Sequence, residues 1–324
     1  MRQSLIALME RGYVSDWFIR LGIRRLLAKR SSAKGQAADR DCAATDRLGD
    51  DAPMEFWQHV LGPRLYDSAC WWPKEARDLE TAEAAMLAFI CERAELGFNQ
   101  DILDFDCGWG ALALWMAELY PDSRIVAASD SSLQRDFIVA RCRERGLNNV
   151  QVSAIGSIGS FGNPCFDRVL LGASFKSVHQ YPELGKPIHA WLKPGGKLLV
   201  HGVTSRQPTQ PQDIAGDVGL ARYVGHGPLV AEDWLPLFQD TFMLEEQWRF
   251  DGRHYQQTLD AWLANQDVHR GLIIELFRER YALDLEQAAR RFQRWRLFFM
   301  AHAEAFGHHA GQSWAISHYR FAKP

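Results

Sequence analysis

Cysteine is scarce in this chain: Cys42, Cys70, Cys91, Cys107, Cys142 and Cys165 are scattered through 324 residues with no CxxC pair. That spacing leaves no basis for a disulfide framework or a zinc ribbon, and it fits reduced thiols in the cytoplasm. Long apolar runs are missing too, none approaching the roughly 20 residues that a membrane-spanning helix needs. The first residues lack the apolar core and small-residue cleavage site of a secretory leader. No charge sign dominates. A formal net charge of −3 gives no electrostatic reason to expect a nucleic-acid partner. Internal repeats are absent.

What is present is an ordinary globular composition, 47% hydrophobic and 24% charged, organised around one stretch. Asp101-Ile102-Leu103-Asp104-Phe105-Asp106-Cys107-Gly108-Trp109-Gly110 is a short apolar strand ending in acids and glycines. It passes into Ala111–Glu118, which reads as a helix. A second strand over Arg124–Ala128, Ser129-Asp130-Ser131-Ser132 and a helix over Leu133–Arg145 follow. Strand, glycine turn and helix in that order predict a doubly wound α/β domain with its ligand at the carboxyl ends of parallel strands. Glycine lets the backbone approach such a ligand closely.

Residues 1–30 alternate apolar and basic positions at helical spacing, with Ser15-Asp16 placed to cap the second of two helices. Such a basic amphipathic arm either packs on its own globular body, the favoured reading, or meets anionic lipid at the inner membrane surface. Residues 31–52 are small, polar and charged and read as a linker. The domain proper runs over 53–324, with a helix predicted from Leu79 to Leu96. Further strands are expected at Val150–Ser153, Arg168–Leu171 and Lys197–His201. A helix over Tyr181–Leu192 should stop at Lys193-Pro194-Gly195-Gly196 in a left-handed turn. Residues 205–230 are loop-rich and suit a lid, 231–300 read as largely helical, and Ala315–Phe321 as a strand. The substrate-side insertion thus spans about 205–300.

Taken together, ILDFDCGWGALALWMAELYP, SDSSLQRDFI, WLKPGGKLLVH, HYQQTLDAWL and the closing RWRLFFMAHAEAFGHHAGQSWAISHYRF resemble one family in one order. It is the class I S-adenosylmethionine-dependent methyltransferases of the cyclopropane-fatty-acid-synthase and coclaurine N-methyltransferase group. DWFIRLGIRRLL and GPRLYDSACWWP resemble its coclaurine-like branch. The resemblance implies a Rossmann-like, mostly parallel seven-stranded sheet and S-adenosylmethionine as cofactor. It places Ser68, Asp104, Asp106, Gly108, Gly110, Ser129, Asp130, Gln134 and Ser157 at the cofactor. His201 and Tyr255 match residues that help line the family's bicarbonate site, and Lys176 stands where a glutamate is expected. The acceptor is then a small amine or a lipid, such as an unsaturated fatty acyl chain.

Three departures fall near that chemistry. Asp106 replaces a glycine: its carboxylate either repels the anionic methionine tail of the cofactor, with its Cβ hindering the backbone's approach, or is protonated, or faces the cofactor's ammonium. Asp104 and Asp106 are close enough in sequence to couple. Ala154–Ile158 lacks the acid that contacts the adenine amino group, leaving Ser157 as a weaker acceptor. Gly172–Ser177 carries Ala173, Lys176 and Ser177 where the family has acid and base. A buried lysine there either runs neutral as a base or holds an anion, or lies at a pocket mouth without catalysing anything. These changes keep open a second function, that of a non-catalytic partner of an active paralogue, and a third, an enzyme that kept the pocket but changed its reaction or its ligand. His302, Glu304, His308, His309 and His318 fit no metal-ligand spacing. The aromatic residues of the C-terminal half read as core before they read as an acceptor channel. Together with the arm they leave room for a homodimer.

Overall fold

The computed structural model describes residues 2–31, 52–162, 164–173, 181–205, 230–231, 238 and 241–324. Most of the linker at 31–52, most of the lid segment at 205–230, and Lys176 and Ser177 lie outside the described residues. Two compact units divide the chain.

The first unit holds the described residues up to Pro63 together with Asp251–Ala315. It is built on helices α1 (Arg2–Glu10), α2 (Asp16–Ser31) and α3 (Met54–Val60), then α8 (Arg253–Val268), α9 (Arg270–Tyr281) and α10 (Leu285–Gly307). Asp284 and Gln287 start α10 with a reciprocal capping box, which satisfies two amides that the first turn leaves open. Phe292, Trp295, Phe299 and Phe306 of α10 are fully buried, and Phe56 of α3 stacks on Trp295 with ring centres 4.6 Å apart. The arm lies on this helix. Ile19 and Ile23 of α2 are buried, Arg20 and Arg24 both reach the buried carboxylate of Glu304, and Arg296 pairs with Asp16 and Asp267. Trp17 and Phe18, on the other side of α2, stay 64% and 61% exposed.

The second unit is a sheet with flanking helices. Its elements are α4 (Leu79–Arg93), β1 (Asp101–Phe105), α5 (Ala111–Leu119), β2 (Arg124–Ala128), α6 (Ser132–Arg145), β3 (Val150–Ser153) and β4 (Phe166–Ala173). Then come α7 (Tyr181–Trp191), β5 (Leu192–Ser205), β6 (Val230–Ala231), β7 (Met243–Asp251) and β8 (Trp314–Ala322). The main path of seven strands runs β3-β2-β1-β4-β5-β8-β7, with β6 attached to β5. Pairings from β3 through β5 are parallel. Ile102, Leu103, Val126, Val169, Leu170 and Leu198 are wholly buried, as central parallel strands covered on both faces require. Strand order reverses between β1 and β4, so the ends of those strands open the crevice where doubly wound folds take ligands.

Most elements fall within a residue or two of their sequence reading. Two differ. β5 begins at Leu192, five residues early, because Leu192 pairs with Phe166 before the chain turns through Gly195 in the left-handed region at φ +72°. The segment 231–300 is not helical throughout: Met243–Asp251 is a strand, held by its neighbour β8. Among the described residues no helix is long and apolar enough to cross a membrane.

Candidate cofactor and active site

The site begins where β1 ends. Ile102 and Leu103 anchor the strand in the core, and Asp104 is carried in with them, only 4% exposed. The carboxyl group accepts the amide N–H of Ala113 in the first turns of α5, while its Oδ2 has no hydrogen-bond partner. Burial pushes it up to about 7, and the neighbouring Asp106 and Asp67 push the same way against the Ala113 amide.

The loop that follows alternates left-handed residues: Asp106 at φ +59°, Gly108 at +56° and Gly110 at +79°. Aspartate tolerates that region better than most side chains, which explains how a position suited to glycine holds Asp106. Cys107 donates its N–H to the carbonyl of Ala128, tying this loop to the tip of β2. Gly110 is fixed by packing: a Cβ there would lie 2.6 Å from Cγ1 of Ile138 on α6. At Gly108 a Cβ would lie 3.2 Å from Oδ1 of Asp67, so that carboxylate rests against the loop.

Asp67 was not among the residues singled out from sequence, although it adjoins Ser68. Glu83 of α4 was missed as well. Buried and raised to about 7 by desolvation, it accepts the amide N–H groups of Arg64 and Tyr66, at 3.2 and 3.3 Å, and so sets the course of the segment that delivers Asp67 and Ser68. A buried acid inside a helix-reading stretch gave no sequence signal of that task.

At the tip of β2, Ser129 is almost fully enclosed. Its hydroxyl donates to Oε1 of Gln134 at 2.6 Å and accepts the N–H of Ser131 at 3.1 Å, which orders the entry to α6. Asp130 is exposed, and its Oδ1 accepts the N–H of Ile155 at 3.2 Å. That contact brings a carboxylate from β2 to the short 3₁₀ turn Ile155–Phe161, whose own first residues have none. Ser157 is exposed on that turn.

His201 occupies the far part of β5, opposite Gly172 of β4 in register. It is buried, and desolvation holds its imidazole down at about 4, so the ring is neutral near pH 7. His318 of β8 lies beside it with ring centres 5.5 Å apart. Behind His318 stands Arg93 of α4, enclosed by the rings of Phe89, Trp248 and Phe250. Neither Arg93 nor His318 was read as part of a site from sequence.

Ser68, Asp104, Asp106, Gly108, Gly110, Ser129, Asp130, Gln134, Ser157 and His201 all belong to the second unit. Tyr255 belongs to the first unit, on α8, with its ring on Phe306 and Trp262. Lys176 lies outside the described residues, and of Ala173 only the backbone, at the end of β4, is described. The C-terminal histidines are taken up in packing: His302 contacts the carbonyl of Phe298, His308 contacts Ser313, and Glu304 holds the arm. Among the described residues no cluster of three histidine, cysteine or acidic side chains could hold a metal.

An α5 N-terminus behind a left-handed loop, an orphaned buried carboxylate oxygen and a polar β2 tip fit a charged nucleoside cofactor. Comparison with known proteins agrees. Residues 47–310 match the family described as mycolic acid cyclopropane synthetase. The (S)-coclaurine N-methyltransferase of Papaver somniferum is 29% identical over 351 residues, covering 99% of this chain and 98% of that protein. The cyclopropane-fatty-acyl-phospholipid synthase of Escherichia coli (strain K12) is 29% identical over 215 residues, covering 65% of this chain and 53% of that one. The crystal structure of coclaurine N-methyltransferase bound to N-methylheliamine and SAH superposes with a TM-score of 0.83 at 26% identity, covering 99% of both chains. The chain belongs to the mycolic acid cyclopropane synthetase family and is an enzyme of the S-adenosylmethionine-dependent methyltransferase class.

Proposed function

We propose that the acceptor is a small amine and that the product is its N-methylated form. The observation that carries this reading is end-to-end similarity. The coclaurine N-methyltransferase likeness runs through the arm, the glycine loop and the closing strand, whereas the cyclopropane synthase of Escherichia coli matches 65% of the chain.

When bound, S-adenosylmethionine supplies an electrophilic methyl group on a sulfonium. Asp104, Asp106, Gly108, Ser129, Asp130 and Gln134 would hold it, by the placement described above. Gly110 serves the same site indirectly, by letting α5 and α6 close on each other. His201 is neutral and desolvated, which suits it to accept a hydrogen bond from an acceptor N–H and so aim the nitrogen lone pair. With its basicity lowered to about 4, it directs the nucleophile more than it stores a proton. Bulk water is the candidate to carry the proton onward, and bicarbonate is the species expected in that role if the acceptor is instead an acyl double bond.

The test is transfer of an isotopically labelled methyl group by the purified full chain. It should be offered secondary cyclic amines in one assay and phospholipid vesicles with monounsaturated acyl chains in another. Label on nitrogen is the expected result. Label confined to the acyl chain would replace the amine reading with the lipid one.

A further inference from the structure

The glycine loop of this enzyme is more acidic than binding a zwitterionic amino-acid tail calls for. Asp104 is enclosed at the strand end with one carboxylate oxygen unpartnered. Asp106 follows two residues later in a left-handed conformation, and Asp67 packs on Gly108 from the preceding segment. The charged groups acting on Asp104 are Asp106 and Asp67, both negative; the thiols of Cys91 on α4 and Cys107 in the loop also face it, and both are raised by burial first and by its charge second. A fully buried carboxylate oxygen without a partner, ringed by like charge, is a place that a cation relieves.

S-adenosylmethionine and its demethylated product share the adenosine, the ammonium and the carboxylate. Any repulsion between Asp106 and the carboxylate tail therefore weakens both equally and cancels in their ratio. They differ by one methyl group and one positive charge, on sulfur. We propose that Asp104, Asp106 and Asp67 form a charge filter that binds the sulfonium cofactor in preference to its neutral product, so that S-adenosylhomocysteine inhibits this enzyme weakly. The proposal rests on the cofactor site lying at this loop.

A second consequence follows from the same geometry. Asp104, held near 7 by burial and its acidic neighbours, is part-protonated at neutral pH. An arriving cation favours its carboxylate, so S-adenosylmethionine should displace a proton that S-adenosylhomocysteine does not.

The experiment is titration calorimetry on the full chain at pH 7, with each ligand, in two buffers of different ionisation enthalpy. Wild type, Asp106→Asn and Asp106→Gly are compared. Asparagine keeps the shape and the left-handed tolerance, and glycine relieves the backbone, so neither change threatens folding. Wild type should bind S-adenosylmethionine more tightly than S-adenosylhomocysteine and release more protons with it. Both variants should narrow that preference about fivefold, the effect of removing one charge several ångströms away in a partly hydrated site. An unchanged ratio in both variants overturns the filter while leaving the cofactor site intact. Equal proton release with the two ligands removes Asp104 from it. Failure of wild type to bind either ligand overturns the underlying reading of the site instead.

Discussion

Arg93 donates a hydrogen bond from Nη1 to Nδ1 of His318, at 3.1 Å, inside the second unit. A guanidinium has only donors, so Nδ1 must be the acceptor and the proton of His318 sits on Nε2. A second proton is opposed by burial, by His201 and by the Arg93 charge. Two buried imidazoles thus stand neutral beside each other in the sheet.

These rings oppose a pair of buried acids in the pH dependence of stability. Asp104 and Glu83 are raised to about 7, so folding holds protons that the unfolded chain has lost above about 4. That contribution is fully present at low pH and is lost as pH rises to 7. His201 and His318 are lowered, so the unfolded chain binds protons below 6.5 that the folded chain refuses, and their contribution is lost as pH falls. Between 4.5 and 6.5 the two pairs offset each other. His201→Asn should break the balance. Relative to wild type, the variant should gain about 1.4 kcal/mol for each pH unit of acidification in that window. Urea midpoints at pH 6.5 and 4.5 measure it, and parallel behaviour of the two proteins would refute a neutral buried His201.

Gly110→Ala meets two obstacles, φ at +79° and a Cβ 2.6 Å from Ile138 Cγ1. A loss of about 2 to 3 kcal/mol is expected from strain and overpacking. Adding Ile138→Ala should return part of the steric share but none of the backbone share, which a double-mutant cycle by chemical denaturation resolves.

Glu83→Gln replaces one of two acceptor oxygens with a donor facing an amide N–H. The cost should be about 1 to 2 kcal/mol. Because Arg64 and Tyr66 precede Asp67, faster amide exchange over 64–68 should accompany it, visible by hydrogen-exchange mass spectrometry. A loss of stability with unchanged exchange there would assign Glu83 to core packing alone.

Glu304→Gln should loosen the arm. The carboxylate is 4% exposed and meets both Arg20 and Arg24, while Arg20 keeps Asp260. Because Arg24 is 60% exposed and Arg20 retains Asp260, no buried charge is left unpaired, and the loss should be about 1 kcal/mol. Limited proteolysis should then cut within 1–31 sooner than in wild type, with the rest of the chain resistant.

The sheet was legible because its signals are local. β1, α5, β2 and α6 are set by apolar runs and by glycines at 108, 110 and 146, all within one stretch of sequence. β7 was not, since MLEEQWRFD has no clean alternation and its burial is irregular; its strand form comes from pairing with a segment more than sixty residues away. The site divides along the same line. Asp104, Asp106 and the glycines announce themselves in one decapeptide. Arg93 and His318 are 225 positions apart, and nothing in either neighbourhood names the other. Glu83 acts on amides 17 and 19 positions back, beyond the reach of helical periodicity.

The insertion of β8 between β5 and β7 has a consequence for biosynthesis. β7 leaves the ribosome with β8, its neighbour among the described strands, still unmade, because residues 252–313 must be translated first. At ordinary elongation rates that wait lasts about 3 to 12 seconds. Throughout it β5 and β7 lack the strand that lies between them in the finished sheet. A chaperone that shields such unpaired strands is expected to raise the yield of folded chain.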